Sequence, residues 1–270
     1  GCFTLGATVG AVVAIAGHPY LSIAAAMAAG IASGFITAIL QTKMGINSLL
    51  AGIIVNTGLY SINIAVMSGS SILNMNKTDT VFTKMAALVK GTPVARQSKL
   101  FVAIIAVAAV AVILGLFLKP RLGLAIRATG DNPDMVRSSS VNPAFTTIIG
   151  LCVANSFTAL SGCLLAQSQR SVNIDIGTGM VTIALASLLI GGVFLGRKKM
   201  PLRIFGMVLG AFIFRLIYTI ALRFDMPAFM LKFVSSVIVI AAIATPYFKK
   251  QLPLLKRRIQ TRSGRRKADA

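Results

Sequence analysis

The apolar positions of this 270-residue chain come mostly in long unbroken runs rather than at an alternating spacing. Eight runs stand out, at 3–17, 19–40, 48–67, 100–118, 144–166, 180–196, 204–222 and 230–248. A helix needs about 20 mostly apolar residues to cross a hydrocarbon core of about 30 Å. The pattern therefore predicts an all-α, polytopic membrane helical bundle over 1–248, followed by a basic tail at 249–270. Two runs are short, 3–17 and 180–196, and the second carries Gly191 and Gly192. Both are expected to be broken or re-entrant, or else to have boundaries a few residues away. Paired short, Gly-interrupted segments also point to an inverted repeat, with one N-terminal helix missing from this sequence. Gly6/Gly10, Gly30/Gly34, Gly192/Gly196 and Gly206/Gly210 have the spacing that lets helix backbones approach closely.

Composition agrees with a lipid environment. The chain is 56% hydrophobic and only 12% charged, with a mean hydropathy of +0.84, against about a quarter charged in a soluble domain. The formal net charge of +21 comes from 27 Lys and Arg against 6 acids, all of them Asp. The cations lie between apolar runs and in the tail, so they set membrane orientation instead of marking a nucleic-acid surface. With the tail placed in the cytoplasm, 18 cations fall inside and 8 outside, and Arg215 lies within a span. Cys2, Cys152 and Cys163 lack metal-ligand spacing and read as ordinary buried thiols. The chain starts at Gly1 without a recognisable signal peptide, and a truncated N-terminus is expected.

The segment 119–143, predicted to be cytoplasmic, holds a short helix. Asp131 or Asn132 can cap it, Pro133 suits its first position, and Asp134 favours the positive end of its dipole. Met135, Val136 and Ser139 are expected to offer a small face to a partner. A solvated connector with an incidental helical turn accounts for these residues equally well.

Arg127-Ala-Thr-Gly-Asp-Asn-Pro133, followed by Arg137 and Val141-Asn142, resembles the R-A-x-G-x-N-P…A-R-x-x-G-I-N coupling segment of bacterial ABC importer permeases of the branched-chain amino acid and ribose type. Val136 and Ser140 stand where that family usually has Ala and Gly. Three further stretches resemble it: Thr42 to Ile53 with Leu59 to Asn63, Ile176-Gly-Thr-Gly179 with Leu185 to Gly191, and Phe214-Arg215-Leu-Ile with Ala221-Leu-Arg223. The amino-acid-type pattern has Glu where this chain has Gly192, a substitution similar to the sugar-permease version.

The resemblance implies the type II importer permease fold and a transport subunit that is not an enzyme. Arg127, Gly130, Asp131, Asn132, Pro133 and Arg137 would couple it to a separate ATPase. It implies a homodimer or a second permease copy, an extracytoplasmic substrate-binding protein, and a multi-pass location in the bacterial plasma membrane. No cofactor is expected on this chain, since it has no G-x-x-x-x-G-K-[ST] loop for ATP. The solute expected is an amino acid or related compound, with sugars or nucleosides as the alternative.

Asn56, Tyr60 and Asn63 fall at i, i+4 and i+7, one polar stripe in an apolar span that either lines a path or bonds neighbouring helices. Arg215 costs roughly 2.5–3.5 kcal/mol at mid-span, so it needs carbonyls, water or an anionic substrate group. His18, beside Pro19, reads as a solvated turn residue. A proton-coupled carrier usually buries Asp, Glu or His at membrane depth, and no predicted span contains one. A sodium-coupled carrier remains the chief rival. An enzyme or a channel lacks its catalytic or filter residues.

Overall fold

A backbone surrounded by hydrocarbon has to satisfy its own hydrogen bonds, and the described apolar runs do so as helices. The computed structural model describes residues 1–76, 78–88, 98–195 and 200–223, plus isolated positions at 233, 236, 237, 240 and 244. The rest of the run at 230–248 and the tail at 249–270 lie outside the described residues. In chain order the elements are α1 (Cys2–Ile15), α2 (Pro19–Thr42), α3 (Ser48–Val66), β1 (Ile72–Asn74), α4 (Val81–Leu88), α5 (Ser98–Phe117), α6 (Arg121–Asp131), α7 (Pro133–Ser138), α8 (Pro143–Gln169), β2 (Ser171–Asn173), a 3-10 turn (Ile174–Gly177), α9 (Met180–Leu195) and α10 (Met200–Arg223). Among the described residues, six stretches are long and apolar enough to cross a membrane, and α1 is a shorter apolar helix. The chain is a multi-pass helical membrane protein that divides into two units, Gly1–Gly177 and Thr178–Ala270.

In the first unit α8 is the central post, with α1 and α2 packed on it. Hydrophobic burial gives helices little reason to associate inside lipid, so close backbone packing has to do so. A Cβ on Gly6 would collide with the Ala159 backbone, one on Gly162 with the Phe3 carbonyl, and one on Gly34 would lie 2.7 Å from the Leu151 carbonyl. Both expected glycine pairs in this unit, Gly6/Gly10 and Gly30/Gly34, therefore face α8. Helix α1 lies along part of α8: the Cys2 thiol donates to the Asn155 carbonyl at 3.3 Å, near the middle of that helix. It ends in a cluster of Ala7, Ala11, Ala14, Met67, Met75, Ala166, Val172 and Ile174.

Over that cluster, β1 and β2 form a small antiparallel ladder pairing Ile72 with Asn173 and Asn74 with Ser171. Helix α4 starts beside it. Thr80 Oγ1 accepts from Thr83 N–H at 3.2 Å, and Thr83 Oγ1 accepts from Thr80 N–H at 2.7 Å, a reciprocal capping pair. The free N–H of Val81 goes to Gln167 Oε1 at 2.9 Å. Gln167 is buried, and its Nε2 donates to Ser22 Oγ on α2 at 2.7 Å. One amide thus ties three helices together. Gln167→Leu strips the partner from a buried N–H and from Ser22. It is expected to destabilise the unit by about 1–3 kcal/mol and to open Lys84 in α4 to trypsin. Unchanged melting and unchanged cleavage at Lys84 would remove this role.

In the second unit the alternative of shifted boundaries holds for the short run from 180: α9 continues unbroken through Gly191 and Gly192 to Leu195, and the span-length apolar stretch begins at Ile174. The approach to α10 uses Gly191, whose Cβ would strike the Gly206 carbonyl, while Gly192 meets nothing within 4 Å. Gly206 and Gly210 do lie at the contact, as their spacing predicts, and Gly196 is outside the described residues.

Candidate functional site

Segment 119–143 folds as two helices, not as a connector with one helical turn. Helix α6 was hidden in the sequence by Gly123 and Gly130, yet Leu122, Ala125, Ile126 and Thr129 form its half-buried face at i, i+3, i+4 and i+7. Gly123 lets the chain fold back on itself, since a Cβ there would lie 2.5 Å from Leu118 Cα. Of the two possible caps for α7, Asn132 is the one used: its Oδ1 accepts from the Asp134 and Met135 N–H groups, both at 3.1 Å. Pro133 occupies the first helical position, Asp134 sits in the first turn and Arg137 in the last.

The end of α7 is also locally determined. The Val141 N–H reaches the Val136 carbonyl and the Ser140 N–H reaches the Arg137 carbonyl, both at 3.3 Å, which closes a Schellman motif around Ser140. Ser140 has φ 62, the left-handed region in which glycine carries no Cβ penalty. That backbone requirement accounts for Gly at this place in the coupling pattern. Asn142 then caps α8, its Oδ1 accepting from Ala144 N–H at 3.0 Å.

Arg127, Gly130, Asp131, Asn132, Pro133 and Arg137, on α6, on α7 and at the junction between them, are all exposed. Val136 is the exception to the expected face. It is 3% exposed and turned inward, leaving Met135 and Ser139 outside.

The polar stripe on α3 divides. Asn63 is buried and its Oδ1 accepts from Thr8 Oγ1 of α1 at 3.3 Å, an interhelical bond. Asn56 and Tyr60 are exposed, with Thr57 and Ser61 beside them. Arg215, on α10 in the other unit, is exposed, and its guanidinium lies 5.9 Å from the Tyr218 ring centroid. The sequence reading offered carbonyls, water or an anion as partners and overlooked the aromatic ring three residues on, although i, i+3 spacing brings the two together. Among the described residues its side chain makes no hydrogen bond to a carbonyl. His18 is exposed in the turn between α1 and α2, as expected. All three cysteines are free thiols. Gln167 and Thr129 also bear on the site or its frame and carried no sequence signal, because the partners that matter are distant in the chain.

A bundle of apolar helices bearing a capped, solvent-facing double helix between two spans defines a membrane transport subunit of the permease class. The chain belongs to the family of branched-chain amino acid transport system permease components, whose pattern it matches over residues 1–243. It is therefore a permease component of an ABC-type importer and not an enzyme. It is 30% identical to the tyrosine transport system permease protein of Clostridioides difficile (strain R20291) over 91% of this chain and 79% of that protein. It is 27% identical to the ribose import permease protein of Escherichia coli (strain K12), over 77% of this chain and 63% of that one. It is 23% identical to the autoinducer 2 import system permease protein of Yersinia enterocolitica, over 83% and 59%. The chain thus spans less than two thirds of the length of the latter two. No solved structure matches it significantly.

Proposed function

We propose that this permease imports an amino acid or related compound and is driven by a separate ATPase that docks on α6 and α7. The carrying observation is the exposure of Arg127, Gly130, Asp131, Asn132, Pro133 and Arg137 on two successive helices, the second of which is capped at both ends within the segment itself. Such a surface is formed before any partner arrives, so little ordering cost remains at docking. The amino-acid reading draws on the relative named for tyrosine transport, which aligns with more of this chain than the ribose permease does. In this reading two permease copies form the pore, and a binding protein delivers the solute outside. The protein sits in the bacterial inner membrane with the tail and the α6–α7 surface cytoplasmic. ATP and magnesium belong to the partner.

Co-purification tests the docking surface. With the ATPase co-expressed, Arg137→Glu is expected to weaken the complex at least tenfold, about 1.4 kcal/mol, while the permease keeps its melting temperature. Undiminished co-purification would refute the reading.

The same proposal puts Asn56, Tyr60, Asn63 and Arg215 along the substrate path, with Asn63 contributing through its bond to Thr8 rather than by direct exposure. The ring contact of Arg215 is worth only about 0.5–1 kcal/mol at an exposed site. Arg215→Gln is therefore expected to change stability by no more than that. Uptake of labelled tyrosine into proteoliposomes should fall about tenfold, because a charge-assisted bond to a carboxylate is worth roughly 1.5–3 kcal/mol. Intact uptake with lowered stability would make Arg215 a structural residue.

A further inference from the structure

Helix α6 rests on α8 through one apolar and one polar contact. Ile126 lies over Gly150, where a Cβ would come within 3.3 Å of Ile126 Cγ2. One helical turn on, Thr129 Oγ1 lies 2.7 Å from Thr146 Oγ1. Thr146 is 1% exposed. Each hydroxyl has a single proton. Thr129 Oγ1 is 2.8 Å from the Ala125 carbonyl of its own helix, and Thr146 Oγ1 is 2.9 Å from the Pro143 carbonyl of its own. When one hydroxyl donates along its own helix, the other has to donate across the gap. At 2.7 Å two oxygens with no proton between them would repel, so one hydroxyl donates to the other, and either order of donation joins the two helices.

On α6, Thr129 sits on the face opposite Arg127 and next to Gly130 in the chain. On the far side, α8 carries α1 and α2 through backbone contacts too close to slide independently. Helix α7 offers a weaker handle, since apart from Val136 its residues are exposed, whereas α6 has the half-buried face of Leu122, Ala125, Ile126 and Thr129. We propose that Thr129 and Thr146 are the positioning pair through which movement of the α6–α7 surface is passed to α8. The inference rests on the proposed docking of an ATPase to that surface.

Hydrogen–deuterium exchange of the reconstituted permease–ATPase complex, with and without a non-hydrolysable ATP analogue, tests this without knowledge of the solute. In wild type and in Thr129→Ser, which keeps the hydroxyl, the nucleotide is expected to alter exchange in 121–140 and also in 155–167 of α8. In Thr129→Val the change at 121–140 persists, and that at 155–167 falls at least threefold. Thr146→Val removes the bond from the other side and gives the same loss, and the double variant adds nothing further. A wild-type response at 155–167 in both valine variants overturns the proposal, as does no response there in wild type. If Arg137→Glu still binds the ATPase, the docking reading itself has failed. If Arg137→Glu releases it while the valine variants respond normally, only the transmission through this pair is wrong.

Discussion

Gly162→Ala is expected to lower the stability of the first unit by about 1–3 kcal/mol, the usual cost of overpacking, and Gly162→Leu to prevent folded protein from accumulating. The reason is geometric. A Cβ at Gly162 would occupy the place of the Phe3 carbonyl oxygen, so the obstacle is backbone, which cannot rotate away as a side chain can. Gly6→Ala meets the same difficulty at Ala159. Gly52 and Gly58, on α3, have nothing within 4 Å of a built Cβ. There the same substitution should be neutral or gain up to about 1 kcal/mol from helix propensity. Opposite signs for one chemical change make the comparison decisive. A thiol-reactive dye reading the exposure of buried Cys163 during thermal unfolding in detergent measures both sets. Equal melting temperatures for Gly162→Ala and Gly58→Ala would contradict the close approach of α1 and α8.

Gly130→Trp should abolish transport without harming the fold. Gly130 lies in the last turn of α6, exposed, with open space around a built Cβ. The Cβ of a Trp there meets nothing within 4 Å, and Trp replaces a poor helix former, worth a few tenths of a kcal/mol in favour of the helix. It would, however, stand between Arg127 and Asp131 on the surface assigned to the ATPase. The expected result is an unchanged or slightly raised melting temperature, solute uptake at background, and ATP hydrolysis no longer stimulated by the permease. Gly130→Ala should transport normally. If the Trp variant transports at wild-type rate, the surface does not carry the partner.

These two variants separate what local pattern encodes from what it does not. Apolar runs of span length, glycines four apart, and an Asn-Pro pair opening a helix are properties of neighbouring residues. The described apolar runs accordingly fold as helices close to where those signals lie. The Asn132 cap, the first-turn Pro133 and the dipole-matched Asp134 and Arg137 were legible for the same reason, since each acts within one turn of chain.

The misses are of the other kind. Whether Gly191 or Gly192 meets α10 depends on the rotation of α9, and two adjacent glycines look alike in a sequence. Val136 turns inward because α7 leans on its own unit, which its six residues do not encode. The stripe of Asn56, Tyr60 and Asn63 is continuous on α3. Only the position of α1 buries Asn63 against Thr8 and leaves the other two exposed. The β1–β2 ladder joins strands of three residues about a hundred positions apart, too short and too distant to leave a periodic trace. Gln167 and the Thr129–Thr146 pair read as unremarkable polar residues until the fold sets a partner beside each. The chain alone determined that it lives in a membrane, as helices, with a capped segment between two of them. Which polar atoms meet was decided by tertiary packing, because a hydrogen bond between distant residues depends on the relative placement of two helices and not on either one.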